Sequence, residues 1–184
     1  MQRAQRSVDL LGCGSIPLER SARVDERIDG ALDLARTLGH PHSLALALSV
    51  ACSTAYFRTL PESAIRPLEE LETLAQRQRF PHWERGAAPI RAWLLAMSGD
   101  EAQAADLLIR AGLNRAAGAR ADLQSTFWRC IAADVLLRID RADESEGLLT
   151  GVISAAASRS SRLWWLPEAY RLRASARAAL GRRE

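Results

Sequence analysis

The chain is expected to be all-α: antiparallel helix hairpins stacked into an α-solenoid with a period of about 40 residues. Three observations predict this. Ala, Leu and Arg, all good helix formers, dominate the sequence, whereas Val, Ile, Tyr and Phe are scarce. Apolar residues recur at helical rather than alternating spacing in nearly every segment. Pro41-His42 recurs forty positions on as Pro81-His82, and the equivalent places fall near Ala121 and Ser161, where further helices begin. A fixed period of this size marks stacked helical repeats, because one hairpin cannot bury its apolar face alone but neighbouring hairpins bury one another.

Taken in order, Met1 to Leu11 reads as a short amphipathic helix, interrupted by Gly12, Gly14 and Pro17. Leu18 to Leu38 is helical, with Val24, Ile28, Ala31, Leu32 and Ala35 on one side and Gly39 as its stop. Pro41 opens a helix to about Phe57 carrying Leu44, Leu46, Leu48 and Ala51; it is apolar nearly all round and is expected to be buried between neighbours. Leu60-Pro61 makes the next break, and a helix to about Arg79 turns Ile65, Leu68, Leu71 and Ala75 inward. Pro67 is expected within its first turn or at a kink, since proline costs about 3 kcal/mol in a helix interior.

The stretch from Phe80 to Ala119 is the clearest hairpin. Pro81 starts its first helix, and Trp83, Gly86, Ile90, Trp93, Leu94 and Met97 follow at helical spacing. After Gly99, Asp100 is placed to cap the second helix, whose stripe is Ala105, Leu108, Ile109, Gly112 and Ala116, with Gly118 as its end. A helix over roughly Asp122 to Arg138 presents Leu123, Phe127, Ile131, Val135 and Leu136. Asp140 resets the chain for a helix with Ala142, Leu148, Leu149 and Ile153. Ser158 to Ser161 form a polar break before a last helix holding Trp164, Ala169, Leu172, Ala176 and Leu180. Residues 1–19 are read as an extension or the remnant of a preceding repeat, and 20–181 as the repeat domain.

The 184 residues carry 25 basic side chains, every one Arg, against 22 acids. A net charge of +3 is too small for a nucleic-acid footprint, and the Arg residues alternate with Asp and Glu as on solvated helix faces. Cys13, Cys52 and Cys130 form no CxxC pair or zinc-ligand spacing; Cys52 and Cys130 sit among apolar residues, as buried thiols of a reducing compartment do. No signal-peptide pattern opens the chain and no run approaches 18 apolar residues, so a cytoplasmic protein without a membrane span is expected.

Several pieces together resemble a known group. They are Leu38-Gly39-His40-Pro41 followed by Ser43-Leu44-Ala45; Phe80-Pro81 with Trp83 and Gly86; Ile90-Arg91-Ala92-Trp93; Gly99; Ile109-Arg110-Ala111-Gly112-Leu113; and Gly118-Ala119. Trp164-Trp165, Glu168 and Tyr170-Arg171-Leu172-Arg173 continue the likeness near the end, so that it covers roughly residues 30 to 181. The chain is similar here to the tetratricopeptide-like (TPR-like) region of large bacterial signalling proteins. Those join a class III adenylate/guanylate cyclase domain, or a DNA-binding regulator, to an ATPase module and then to such repeats. The 34-residue spacing and Trp-Leu-Gly-Tyr pattern of standard tetratricopeptide repeats are missing, so the carboxylate-clamp mode of peptide binding is not carried over. No GxxxxGK[ST] phosphate loop is present, and the cyclase or ATPase domains of the group are expected upstream of Met1 if at all. The resemblance implies a regulatory scaffold without a cofactor, not an activity.

Candidate sites are few. Val8 to Ser15 resembles the glycine loop of S-adenosylmethionine-dependent methyltransferases, but the acid is displaced, Ile16 replaces the last glycine and no strand–helix alternation follows; a helix-breaking loop is the plainer reading. His40, His42 and His82 lack the further ligands that zinc needs and read as polar residues at helix starts. Trp83, Trp93, Trp128, Trp164 and Trp165 fall almost wholly on the first helices of the hairpins, which in a solenoid line the concave face. Packing accounts for most of them; Trp83 and Trp165 are expected to be the exposed ones, forming an interaction groove with Arg85, Arg91 and Arg129. Those arginines either frame an anion or pair with acids on adjacent helices.

The first functional expectation is a non-catalytic repeat module for protein–protein or interdomain contacts in a bacterial signalling or transcriptional regulator. The alternative is a sensor holding a small molecule in the groove. An RNA-binding repeat protein would need an Arg stripe without interleaved acids, and an enzyme has the least support.

Overall fold

The computed structural model describes residues 18–113, 123–157 and 165–182. Among them every element is a helix and no strand occurs: α1 (Leu18–Leu38), α2 (Pro41–Phe57), α3 (Pro61–Gln78), α4 (Pro81–Met97), α5 (Glu101–Arg110), α6 (Leu123–Arg138), α7 (Ala142–Ala157) and α8 (Leu166–Ala179). None of these helices is long and apolar enough to cross a membrane. The chain divides into two compact units, 1–47 and 48–184, with the boundary inside α2.

One turn is used again and again. The residue closing a helix takes a left-handed conformation at Gly39, Thr59, Arg79, Gly99 and Asp140, and the next helix begins two residues later. The first four stand twenty residues apart. At the last four, a 6→1 backbone bond seals the helix end: the N–H groups of Leu60, Phe80, Asp100 and Arg141 donate to the carbonyls of Ala55, Ala75, Leu95 and Leu136. This is the Schellman closure, which satisfies orphan carbonyls and reverses the chain within two residues. Gly39 and Gly99 take the left-handed region without steric cost; Thr59, Arg79 and Asp140 adopt it despite a Cβ. Downstream, Pro61 and Pro81 fill first-turn positions that need no N–H, while Asp100 caps α5 by accepting from the Gln103 backbone N–H at 3.2 Å.

In the first unit α1 buries Leu32 and Ala35 but leaves Ala31, Leu34 and Leu38 exposed. The core of the second unit lies around α4 and α6. Helix α4 packs on α3, α5 and α6; α6 packs on α4, α5, α7 and α8; and α7 packs on α8. From α3 to α8 each helix thus meets its neighbour in sequence, and the first helices α4, α6 and α8 also meet in series. Small side chains on α6 permit close approach: Ala132 and Ala133 are fully buried, and the enclosed Ser145 hydroxyl of α7 donates to the Ala133 carbonyl at 2.7 Å.

The structure alters several sequence expectations. The inward stripe of α3 is Ala64, Leu68, Leu71 and Ala75, spaced 4, 3 and 4; Ile65 lies one position, about 100°, round the helix and is exposed. Leu46 and Val50 of α2 are also exposed, so its all-round apolarity does not mean all-round burial. Helix α5 ends at Arg110, well before Gly118; Gly112 is left-handed, Leu113 tucks in, and Ile109 and Met97 face outward. Pro67 falls in the second turn of α3, leaving the Ser63 carbonyl without its usual N–H, and Pro89 sits buried in mid-α4.

An ionic clasp ties the end of α8 to α7. Arg177 Nε donates to Glu146 Oε1 at 2.8 Å, Arg182 pairs with the other oxygen of Glu146, and Arg182 Nη2 reaches Asp143 Oδ1 at 3.0 Å. The hydrogen bond from Arg177, with that from Arg182, holds the Glu146 carboxyl below its usual range. Because the folded form binds this proton less readily than the unfolded chain, the contribution is complete above the ordinary carboxylate pKa of about 4.3 and is lost as pH falls through the lower, folded value. A Glu146→Gln variant is therefore expected to be less stable than the parent at pH 7, with the difference shrinking on acidification to about pH 3. Denaturant titrations at the two pH values check this; a gap that widens in acid contradicts it.

Candidate functional site

Most tryptophans are framework. Trp83 is 2% exposed and Trp165 3%, so the expectation that these two line an open groove is corrected. The reason is the close approach of α4 and α6. Gly86 opens a pit in the α4 surface that receives the indole of Trp128, and Trp83 and His82 flank that ring at centroid distances of 6.5 and 4.6 Å. Phe127, next along α6, lies between Phe57 at 5.9 Å and Trp165 at 6.5 Å. Tyr56 meets Trp93 edge-to-face at 5.5 Å, an arrangement that aromatic quadrupoles favour. The Trp93 indole N–H is enclosed without a conventional acceptor among the described residues. Trp164 lies outside the described residues, as does the Val8–Ser15 loop.

One of the three groove arginines is engaged with another helix. Arg91 is committed to α3: its Nε and Nη2 donate to Glu72 Oε1 and Oε2 at 3.1 and 2.5 Å, a fork that raises the guanidinium pKa further. Of the two readings offered by the sequence, pairing with an acid on the adjacent helix holds for this residue. Arg85 is exposed on α4, and Arg129 is half-buried on α6 and already engaged.

A charged cluster that the sequence reading passed over lies on α2, α6 and α8. Asp134, 5% exposed, accepts from Arg138 Nε at 2.9 Å. Glu168 accepts from Arg171 Nε and Nη2 at 2.7 and 2.5 Å, and this pairing raises the Arg171 pKa, with the Asp134 charge adding to it. Tyr56 lies within the field of the same groups. Burial, then the negative charge of Asp134, pushes its phenol well above the ordinary value, with Glu168 acting in the same sense and Arg138 opposing. The available signal was an acid inside the apolar run Cys130–Leu137, which needs a partner once buried, and an Arg four positions on that supplies it.

Other reactive groups are muted. Burial, reinforced by Glu72, pushes the Cys52 thiol up to about 12, and burial raises Cys130 also. The thiolate, which is the reactive form, is therefore scarce at Cys52 near neutral pH. Thiol reagents are thus expected to leave Cys52 and Cys130 untouched in the native chain and to modify them at the rate of unfolding; prompt native labelling of both, counted by mass spectrometry, would contradict the burial. His40 Nδ1 contacts the Ser43 hydroxyl at 3.0 Å, a helix-start role. Among the described residues no group of three or more His, Cys, Asp and Glu side chains is placed to hold a metal ion.

Compared with protein-family models, curated proteins and solved structures, the chain matches none.

Proposed function

We propose that the chain is a non-catalytic, TPR-like helical repeat module, an α-solenoid with a period of about 40 residues, that mediates protein–protein or interdomain contacts in a bacterial signalling or transcriptional regulator. The recurring turn carries this reading: left-handed closures at positions 39, 59, 79 and 99 give helix pairs of forty residues, and the same closure returns at Asp140. The first helices begin at Pro41, Pro81, Leu123 and Leu166, and α4, α6 and α8 pack in series. Stacked repeats of this kind offer extended binding surfaces and need no catalytic group to be useful. The resemblance to the repeat regions of cyclase- and ATPase-containing regulators supplies the biological setting.

The test is crosslinking of the tagged chain in cells, followed by reconstitution of each crosslinked pair from purified components. A stoichiometric complex by light scattering supports the module reading; a chain that stays by itself with every crosslinked candidate overturns it.

A further inference from the structure

Helix α1 repeats the pattern of α3 forty positions earlier. The inward stripe of α3, Ala64, Leu68, Leu71 and Ala75, falls on Val24, Ile28, Ala31 and Ala35 of α1, all apolar and at the same spacing of 4, 3 and 4. The burial does not repeat. All four α3 residues are enclosed, whereas in α1 only Ala35 is; Val24 and Ile28 are half-buried and Ala31 is exposed. The place of α1 in the array accounts for the difference. Helices α5 and α7, second members of their hairpins, each pack between the first helix before them and the first helix after. Helix α1 holds the same second-member place, but no first helix precedes it among the described residues. One edge of its stripe therefore lacks the cover that α3 has.

The sequence supplies a complement. Met1, Ala4, Val8 and Leu11 lie outside the described residues and are spaced 3, 4 and 3. Set antiparallel to α1 at helical spacing, this stripe places Val8 opposite Val24, Ala4 opposite Ile28 and Met1 opposite Ala31, with intervals of 4 and then 3 on both sides. Reach agrees with this. Residues 12–17, six in all, separate Leu11 from the start of α1, a usual length for a helix–helix connection. At about 1.5 Å per residue, residues 1–11 extend about 16 Å, against about 10 Å from Val24 to Ala31. Leu34 and Leu38, further along α1, fall beyond that reach and are exposed.

We infer that residues 1–11 of this chain dock antiparallel along α1 as the first helix of its hairpin, covering Val24, Ile28 and Ala31. The inference rests on the repeat reading and adds the element that completes its first repeat. While seated, the segment closes this edge to any helix that a partner offers.

The test is disulfide trapping in the full chain carrying Cys13→Ser. Two pairs, Val8→Cys with Val24→Cys and Ala4→Cys with Ile28→Cys, are expected to close within one molecule under mild oxidation, read by mass spectrometry of the digest. Arg6→Cys with Val24→Cys is the control. Arg6 lies about 200° round a helix from Val8, so its bond should form at least about tenfold more slowly, although the tether is just as short. Similar rates in all three pairs mean a tether without a seat and overturn the inference. Disulfides between two copies assign the edge to self-association and also overturn it. Neither result touches the α4–α6 seam, which Gly86→Ala probes, so the repeat reading stands or falls separately.

Discussion

Replacing Gly86 by alanine is expected to destabilise the chain by about 2 kcal/mol or more, although alanine is the better helix former. A Cβ on Gly86 would lie 2.3 Å from Trp128 Cζ2, 2.6 Å from Cε2 and 2.9 Å from Cη2, well inside any real contact. The indole cannot easily yield, since Trp128 is buried and His82 and Trp83 flank it. Overpacking costs about 1–3 kcal/mol and occasionally more, and three ring atoms inside 3 Å place this clash at or above the top of that range; the gain in helix propensity returns only about 1 kcal/mol of it. The clash wins because it is rigid on both sides: helix backbone against an enclosed ring. For a chain of this size the net loss corresponds to a fall in Tm of roughly 4–8 °C. Trp128→Phe removes the outer clashing atoms, Cζ2 and Cη2, so in a double-mutant cycle the Gly86→Ala penalty should shrink, with a coupling of about 1 kcal/mol or more. A Gly86→Ala chain more stable than the parent would mean that propensity alone operates and that α4 and α6 do not meet at this point.

That contact also shows where sequence reasoning reaches its limit. Glycine inside an apolar helical stripe marks a close approach, and Gly86 belongs to the stripe read for α4. What enters the space, Trp128, lies forty-two positions along the chain and is fixed only by the packing of first helix on first helix. Helix starts were legible because they are local: Pro41, Pro61, Pro81 and the Asp100 cap need no tertiary information. Helix faces were less so. An error of one position, Ile65 for Ala64, rotates the assignment by about 100°, and apolar residues at both places leave periodicity unable to choose. The end of α5 was misplaced for a related reason, since Gly112 and Gly118 are both acceptable stops and only the tucked Leu113 decides between them. The Asp134–Arg138 and Glu168–Arg171 pairs have ordinary helical spacings that solvated surfaces also show; depth distinguishes the first, and depth is a property of the fold.

Trp83→Ala is expected to be among the most damaging single substitutions, at about 3–5 kcal/mol, the range for truncating a buried tryptophan. The residue is almost completely enclosed on α4, edge-on to Trp128 and against His82, so its loss opens a cavity at the seam between two first helices. A domain commonly holds only about 5–15 kcal/mol in total, which makes this a large share. Were Trp83 an exposed groove residue, the change would stay within about 0.5 kcal/mol, so urea unfolding followed by far-ultraviolet circular dichroism separates the two placements. Trp83→Phe should cost appreciably less, because a ring still fills most of the space. The consequence for function follows directly. Loss of a partner in Trp83→Ala or Trp165→Ala would report a disturbed framework rather than a recognition surface. The recognition question belongs to side chains whose removal leaves the seam intact, Tyr170 and Met97 among them, and a partner lost through those substitutions at unchanged stability would identify the face that is used.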